Sequence, residues 1–214
     1  DRYTVGIFQI HGGMVSISGL KLSDGNGNVI RTYDPNTGLP SSNEYHGGAI
    51  YIAGGTVTLT NCTLSNNTAN YGGAIYLAGG SLAMTGSTIS GNNIGNGYGG
   101  GIYVGNGSLE VASSTISGNI AGWGGGLDIS GGTATIANST ISGNTAKEYT
   151  EQPQPGVTYS YNGTGGGIYI SSNVTVTVTN STISGNRAEG TNVISGSNQI
   201  QPGAEGGGGI CNLG

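Results

Sequence analysis

Carboxylates, imidazoles, phenols and thiols are the side chains here that can do chemistry, and their spacing limits what that chemistry is. Cleaving a glycosidic bond takes two carboxyl groups about 5–10 Å apart, which on stacked strands means acids on neighbouring rungs. The outward position beside the recurring Gly-Gly turns holds Gln9, Tyr51, Tyr76, Tyr103, Asp128, Tyr169 and Cys211. That is one acid without a partner. Glu110 faces outward on another strand, and Lys and Arg are expected to be absent from the repeated strands, so nothing there steadies an enolate-like intermediate. Function has to be argued from a site and not from a fold, and this pattern argues against an enzyme.

The other candidates are no stronger. His11 and His46 each adjoin a Gly-Gly pair in what reads as the same turn type. Two imidazoles with no third ligand at fixed spacing make a poor zinc site, and turn polarity accounts for both. Glu148, Glu151, Glu189 and Glu205 are loop acids that could gather round Ca²⁺, yet no EF-hand or nonapeptide pattern accompanies them. No metal and no cofactor is expected. Among the N-x-S/T sequons, which an Asn- and Thr-rich chain generates by composition, Asn162 in a loop is the most accessible glycosylation candidate.

The Tyr column, Tyr51, Tyr76, Tyr103 and Tyr169 interrupted by Asp128, has two readings. Spaced phenols on a flat sheet can stack on sugar rings and offer a hydroxyl handle, which would make a glycan- or partner-binding face. Equally, Tyr favours strands and packs on its like neighbour along the stack.

Both readings need strands that hold these residues in line, and the chain supplies them as a repeat. GGAIYIAGGTVTLTNCTLSNN from Gly47 returns as GGAIYLAGGSLAMTGSTISGN from Gly72, GGGIYVGNGSLEVASSTISGN from Gly99 and GGGLDISGGTATIANSTISGN from Gly124. A fifth copy from Gly165 has one extra residue. Apolar and polar residues alternate in short runs bounded by Gly and Asn, the strand signal. Each repeat therefore predicts three short strands, too short to stand alone and stable only if equivalent strands of successive repeats pair in parallel. The Ile of the Gly-Gly turn and the Leu or Ile of the closing strand stand 14 residues apart in Ile50/Leu64, Ile75/Ile89, Ile102/Ile116 and Leu127/Ile141, and 15 apart in Ile168/Ile183. Phe8 and Leu22 keep the same step in a degenerate first copy, and Ile210 opens a further one. The prediction is six coils plus the first strand of a seventh: an all-β, right-handed parallel β-helix. Its ladders would include an Asn corner at Asn67, Asn92, Asn119, Asn144 and Asn186.

The GG[AG]I turns paired with STISGN resemble the GGAI and FxxN repeats of chlamydial polymorphic outer-membrane proteins, with Ile in the Phe position. They are also similar to the GGGIY and STISGN arrays of secreted right-handed β-helix repeat proteins and autotransporter-like surface β-helices. The resemblance covers nearly the whole chain. It implies an extracellular or cell-surface location and a structural or adhesive role, and it supplies no catalytic motif.

With 46 Gly, 34% hydrophobic and 7% charged residues among 214, the chain suits a narrow solenoid core. Net charge is −5 and no basic stripe appears, which excludes nucleic acid as the expected partner. No apolar run reaches a membrane span. Nor does a signal peptide stand at Asp1, so the chain reads as processed or as a piece of something longer. Cys62 should point inward and Cys211 outward, coils apart, which argues against a disulfide. A single domain over 1–214 is expected, with long insertions at 24–45, 147–164 and 187–205 leaving from one corner. These insertions read either as a binding wall for glycan or a partner protein, or as cover for the sheet.

Both ends raise a further expectation. Counting on from Ile210, the inward sites of the missing strand would fall on Tyr3 and Val5 of a following molecule. Subunits would then stack head to tail through Tyr3, Val5, Phe8, Ile210 and Leu213, an open heterologous contact. The alternative is a window from a longer surface protein.

Overall fold

The computed structural model describes residues 6–33, 40–154, 157–161, 163–189 and 207–213. Equivalent strands lie side by side in parallel: Phe8, Ile50, Ile75, Ile102, Leu127, Ile168 and Ile210 form one row in register. Three parallel sheets run the length of the described residues. Seven strands, Phe8–Ile10 to Ile210–Asn212, make the first; six, Met14–Ser18 to Thr175–Thr179, the second; and six, Lys21–Ser23 to Thr182–Ser184, the third. The expected six coils and opening strand of a seventh are present. Lys21 and Arg187 are departures from the expected absence of Lys and Arg, since Lys21 sits exposed in a repeated strand of the first coil and Arg187 sits exposed in a short parallel strand beside Thr145.

Period-2 alternation decides the interior. Ile50, Ile75, Ile102 and Leu127 are fully buried, as are Leu59, Met84, Val111 and Ile136 in the second sheet and Leu64, Ile89, Ile116 and Ile141 in the third. One continuous apolar cluster results. Truncating one such Ile or Leu to Ala would cost about 2–5 kcal/mol.

Two polar ladders close the corners. The Asn119 side-chain carbonyl accepts from the Asn92 backbone N–H at 3.0 Å and from its side-chain amide at 2.8 Å, and Asn119 Nδ2 donates to Ile89 O at 3.1 Å and Asn144 Oδ1 at 2.9 Å. The same pattern joins Asn67 to Asn92 and Asn144 to Asn186. The residue aligned with Cys62 carries the second ladder. Ser87, Ser114 and Ser139 each accept a backbone N–H from the preceding coil at 3.0–3.1 Å and donate their hydroxyl to the carbonyl two residues back at 2.7–3.0 Å. Buried backbone groups left unpaired are costly, so both rows have a structural reason to recur.

The Gly-Gly turn needs glycine twice over. Gly72 has φ of +65°, and a Cβ on Gly73 would run into the carbonyl of Gly100 on the next coil.

Two of the three insertions form strand pairs, while 190–205 of the third lies outside the described residues. Asn28–Tyr33 and Pro40–His46 form an antiparallel hairpin, and Tyr149–Gln154 pairs with Val157–Tyr161 in another. After the Asn corner a short fourth ladder, Ile120–Ala121, Thr145–Ala146 and Arg187–Ala188, extends three coils. Cys62 points inward as expected and is unpaired.

Candidate functional site

The first sheet places the expected column in line. Tyr51, Tyr76 and Tyr103 are consecutive partners, followed by Asp128, Tyr169 and Cys211. The three Tyr rings meet edge to face, Tyr51 to Tyr76 at 5.5 Å and Tyr76 to Tyr103 at 4.9 Å. T-shaped contact engages the faces that a sugar would have stacked on. The packing reading of the column therefore fits the geometry better than the platform reading.

Two members of the column do not face water. Asp128 is fully buried, because the short carboxylate lies between Tyr103 and Tyr169 on the flanking rungs and is also sensed by Tyr98. Ser130 Oγ donates to Asp128 Oδ1, and Oδ2 is buried without a hydrogen-bond partner. Desolvation pushes this carboxyl up to about 7, opposed by the Ser130 bond. Cys211, expected outward, is likewise buried beside Tyr169. Burial also raises the phenols of Tyr76 and Tyr169, and that of Tyr103 to about 12.

A second aromatic column went unread in the sequence. His46, Tyr71, Tyr98, Trp123 and Thr164 are bridged in parallel along the axis. Each stands immediately before its Gly-Gly pair, four residues ahead of the inward Ile or Leu, and that spacing was the available signal. Tyr71 and Tyr98 stack at 5.2 Å and 6°, Tyr98 and Trp123 at 4.7 Å and 11°. From the second hairpin Tyr149 and Tyr161 stack on each other at 4.6 Å, and Tyr149 meets Trp123 edge to face at 5.7 Å.

The two histidines are not equivalent. His46 starts this column, buried, with Nε2 3.1 Å from Glu44 Oε2 and Nδ1 unpartnered. Burial holds its pKa below the ordinary value, partly offset by Glu44. His11 follows Ile10, whose partner is Ile52, so it belongs to the corner between the first and second strands; it is exposed. The shared turn type expected for the pair is thus wrong, although both rings approach Tyr51, at 6.3 and 6.0 Å.

Of the other expected residues, Phe8 is half-buried against the core, while Ile210 and Leu213 are 42% and 45% exposed. Tyr3, Val5 and Asn162 lie outside the described residues. Among the described residues no group of three His, Cys, Asp or Glu converges on a metal position.

A family model described as a right handed beta helix region matches residues 5–202. No curated protein and no solved structure matches.

Proposed function

Because the chain belongs to the right-handed beta helix family, we propose that it is a non-enzymatic structural or adhesive rod of the cell exterior, which associates end to end. The observation carrying this reading is where apolar surface is exposed. Among the described residues the exposed large hydrophobics are Ile7, Met14, Leu20, Ile210 and Leu213, all within 7–20 or 210–213, at the first coil and beside the last strand. Ile210 stands in register with fully buried Ile168, and Leu20, one before Lys21, lines up with buried Cys62. These columns are inward wherever a further rung covers them. A second copy of the chain, built on the same rung spacing and side-chain period, is a cover of matching shape, and such a contact propagates along the axis.

Sedimentation velocity over a dilution series, with negative-stain microscopy, tests the reading. Rods should lengthen with concentration, and Leu20→Lys should abolish the lengthening while leaving the β-sheet circular dichroism intact. Monomer at every concentration would overturn the association. Release of reducing or unsaturated ends from polysaccharides would overturn the non-enzymatic part.

A further inference from the structure

Apart from the Tyr51–Tyr103 column, the side wall carries a site to which two of the insertions, read in the sequence as a candidate binding wall, contribute Glu44 and Tyr149. Where the second aromatic column meets the two hairpins, a groove of about 250 Å³ opens, lined among others by Glu44, Asn70, Asn96, Tyr98, Trp123 and Tyr149. We propose that this groove binds one unit of an uncharged oligosaccharide, held by hydrogen bonds to amides and ring edges and not by stacking on ring faces. The site does not depend on end-to-end association.

The chemistry of the lining selects the ligand. Tyr71, Tyr98 and Trp123 lie nearly parallel within 4.7–5.2 Å, so their faces are taken up by one another. What a stack of that kind turns sideways is ring edges, phenol hydroxyls and an indole N–H. Burial holds the Tyr71 and Tyr98 phenols above their ordinary pKa, so at neutral pH they are donors as well as acceptors. Asn70 is pre-oriented, since its Oδ1 accepts the Tyr45 backbone N–H at 2.9 Å, which directs its NH₂ without further ordering cost. Such a mixture of donors and acceptors matches a polyhydroxylated ring. Glu44 is the one charged residue of the lining, and its partner among the described residues is the His46 ring, whose pKa burial holds below the ordinary value, so the lining offers an anion no positive charge and disfavours uronates, sulfates and phosphates. Quaternary ammonium ions need an open ring face, which the mutual stacking removes. The volume is below the about 300–1,000 Å³ of drug-sized pockets, and fits one sugar with the remainder of its chain along the wall.

Trp123 is the only tryptophan of the chain, so its fluorescence reports on the groove directly. The folded chain is titrated with maltohexaose, cellohexaose, mannohexaose and chitohexaose, and with polygalacturonate and choline for comparison. At least one neutral hexasaccharide should shift the Trp123 emission saturably. Asn96→Ala, at an exposed position, should weaken that binding about fivefold, the worth of one hydrogen bond, and Asn106→Ala, exposed and outside the groove, should leave it unchanged. No response to any neutral sugar overturns the proposal. So does undiminished binding by Asn96→Ala, or stronger binding of polygalacturonate or choline.

Discussion

Asp128 occupies a position that its column neighbours fill with Tyr, yet none of its surface reaches water. A carboxyl kept out of water is neutral until the pH approaches its raised value of about 7, against 3.8 in an unfolded chain. The sign follows from linkage. Because the folded-state value is the higher one, the contribution of Asp128 is fully present below 3.8 and is lost as pH rises towards 7, reaching on the order of 4 kcal/mol. The groups around it, Tyr98, Tyr103, Tyr169 and Ser130, titrate well above this window or not at all. His46 works in the opposite direction, losing stability as pH falls below its ordinary 6.5, and it is common to any pair of variants. Thermal melts of the wild type and Asp128→Asn between pH 4 and 7.5 should therefore diverge as pH rises, with the variant the more stable at neutral pH. Parallel curves would mean that the carboxylate is solvated.

At the scale of elements, a coil is held at its corners as much as by its core. Asn119 closes four hydrogen bonds at once, two accepted from Asn92 and two donated, to Ile89 O and Asn144 Oδ1. Ala at this fully buried position leaves donors and acceptors of both neighbouring coils unpaired, at about 1–3 kcal/mol for each group that water cannot reach. The urea midpoint of Asn119→Ala should fall by an amount corresponding to about 3 kcal/mol or more. An exposed Asn such as Asn106, outside the ladder, should lose almost nothing on the same change. A small effect at Asn119 would place the stability of the corner elsewhere.

For the whole molecule, each coil touches only its neighbours, so stability is approximately a sum of coil and interface terms. Deleting 99–123 joins Tyr98 to Gly124 and removes one complete rung in phase. The shortened chain should fold with unchanged β-sheet circular dichroism, a lower melting temperature and a rod about 5 Å shorter. Removing half as many residues from the same start breaks every ladder beyond it, and should abolish cooperative unfolding. If the in-phase deletion failed equally, the coils would not be interchangeable units.

The sequence by itself determined the stacking. A constant step of 14 or 15 residues from the turn Ile to the closing Leu or Ile, with the variation in coil length confined to one corner, and a side-chain period of two put Ile over Ile, Asn over Asn and Tyr over Tyr, and both properties are local to the chain. The second aromatic column was equally legible, one residue ahead of each Gly-Gly pair. The tertiary structure alone decided what that stacking exposes. Asp128 and Cys211 share an outward parity with Tyr76, but whether a side chain meets water depends on the length of those on the rungs beside it. The ring planes of the second column and the groove beside Trp123 likewise arise from contacts between coils 25 or more residues apart, where periodicity carries no information about angle or depth, and the hairpins form within insertions that interrupt the repeat.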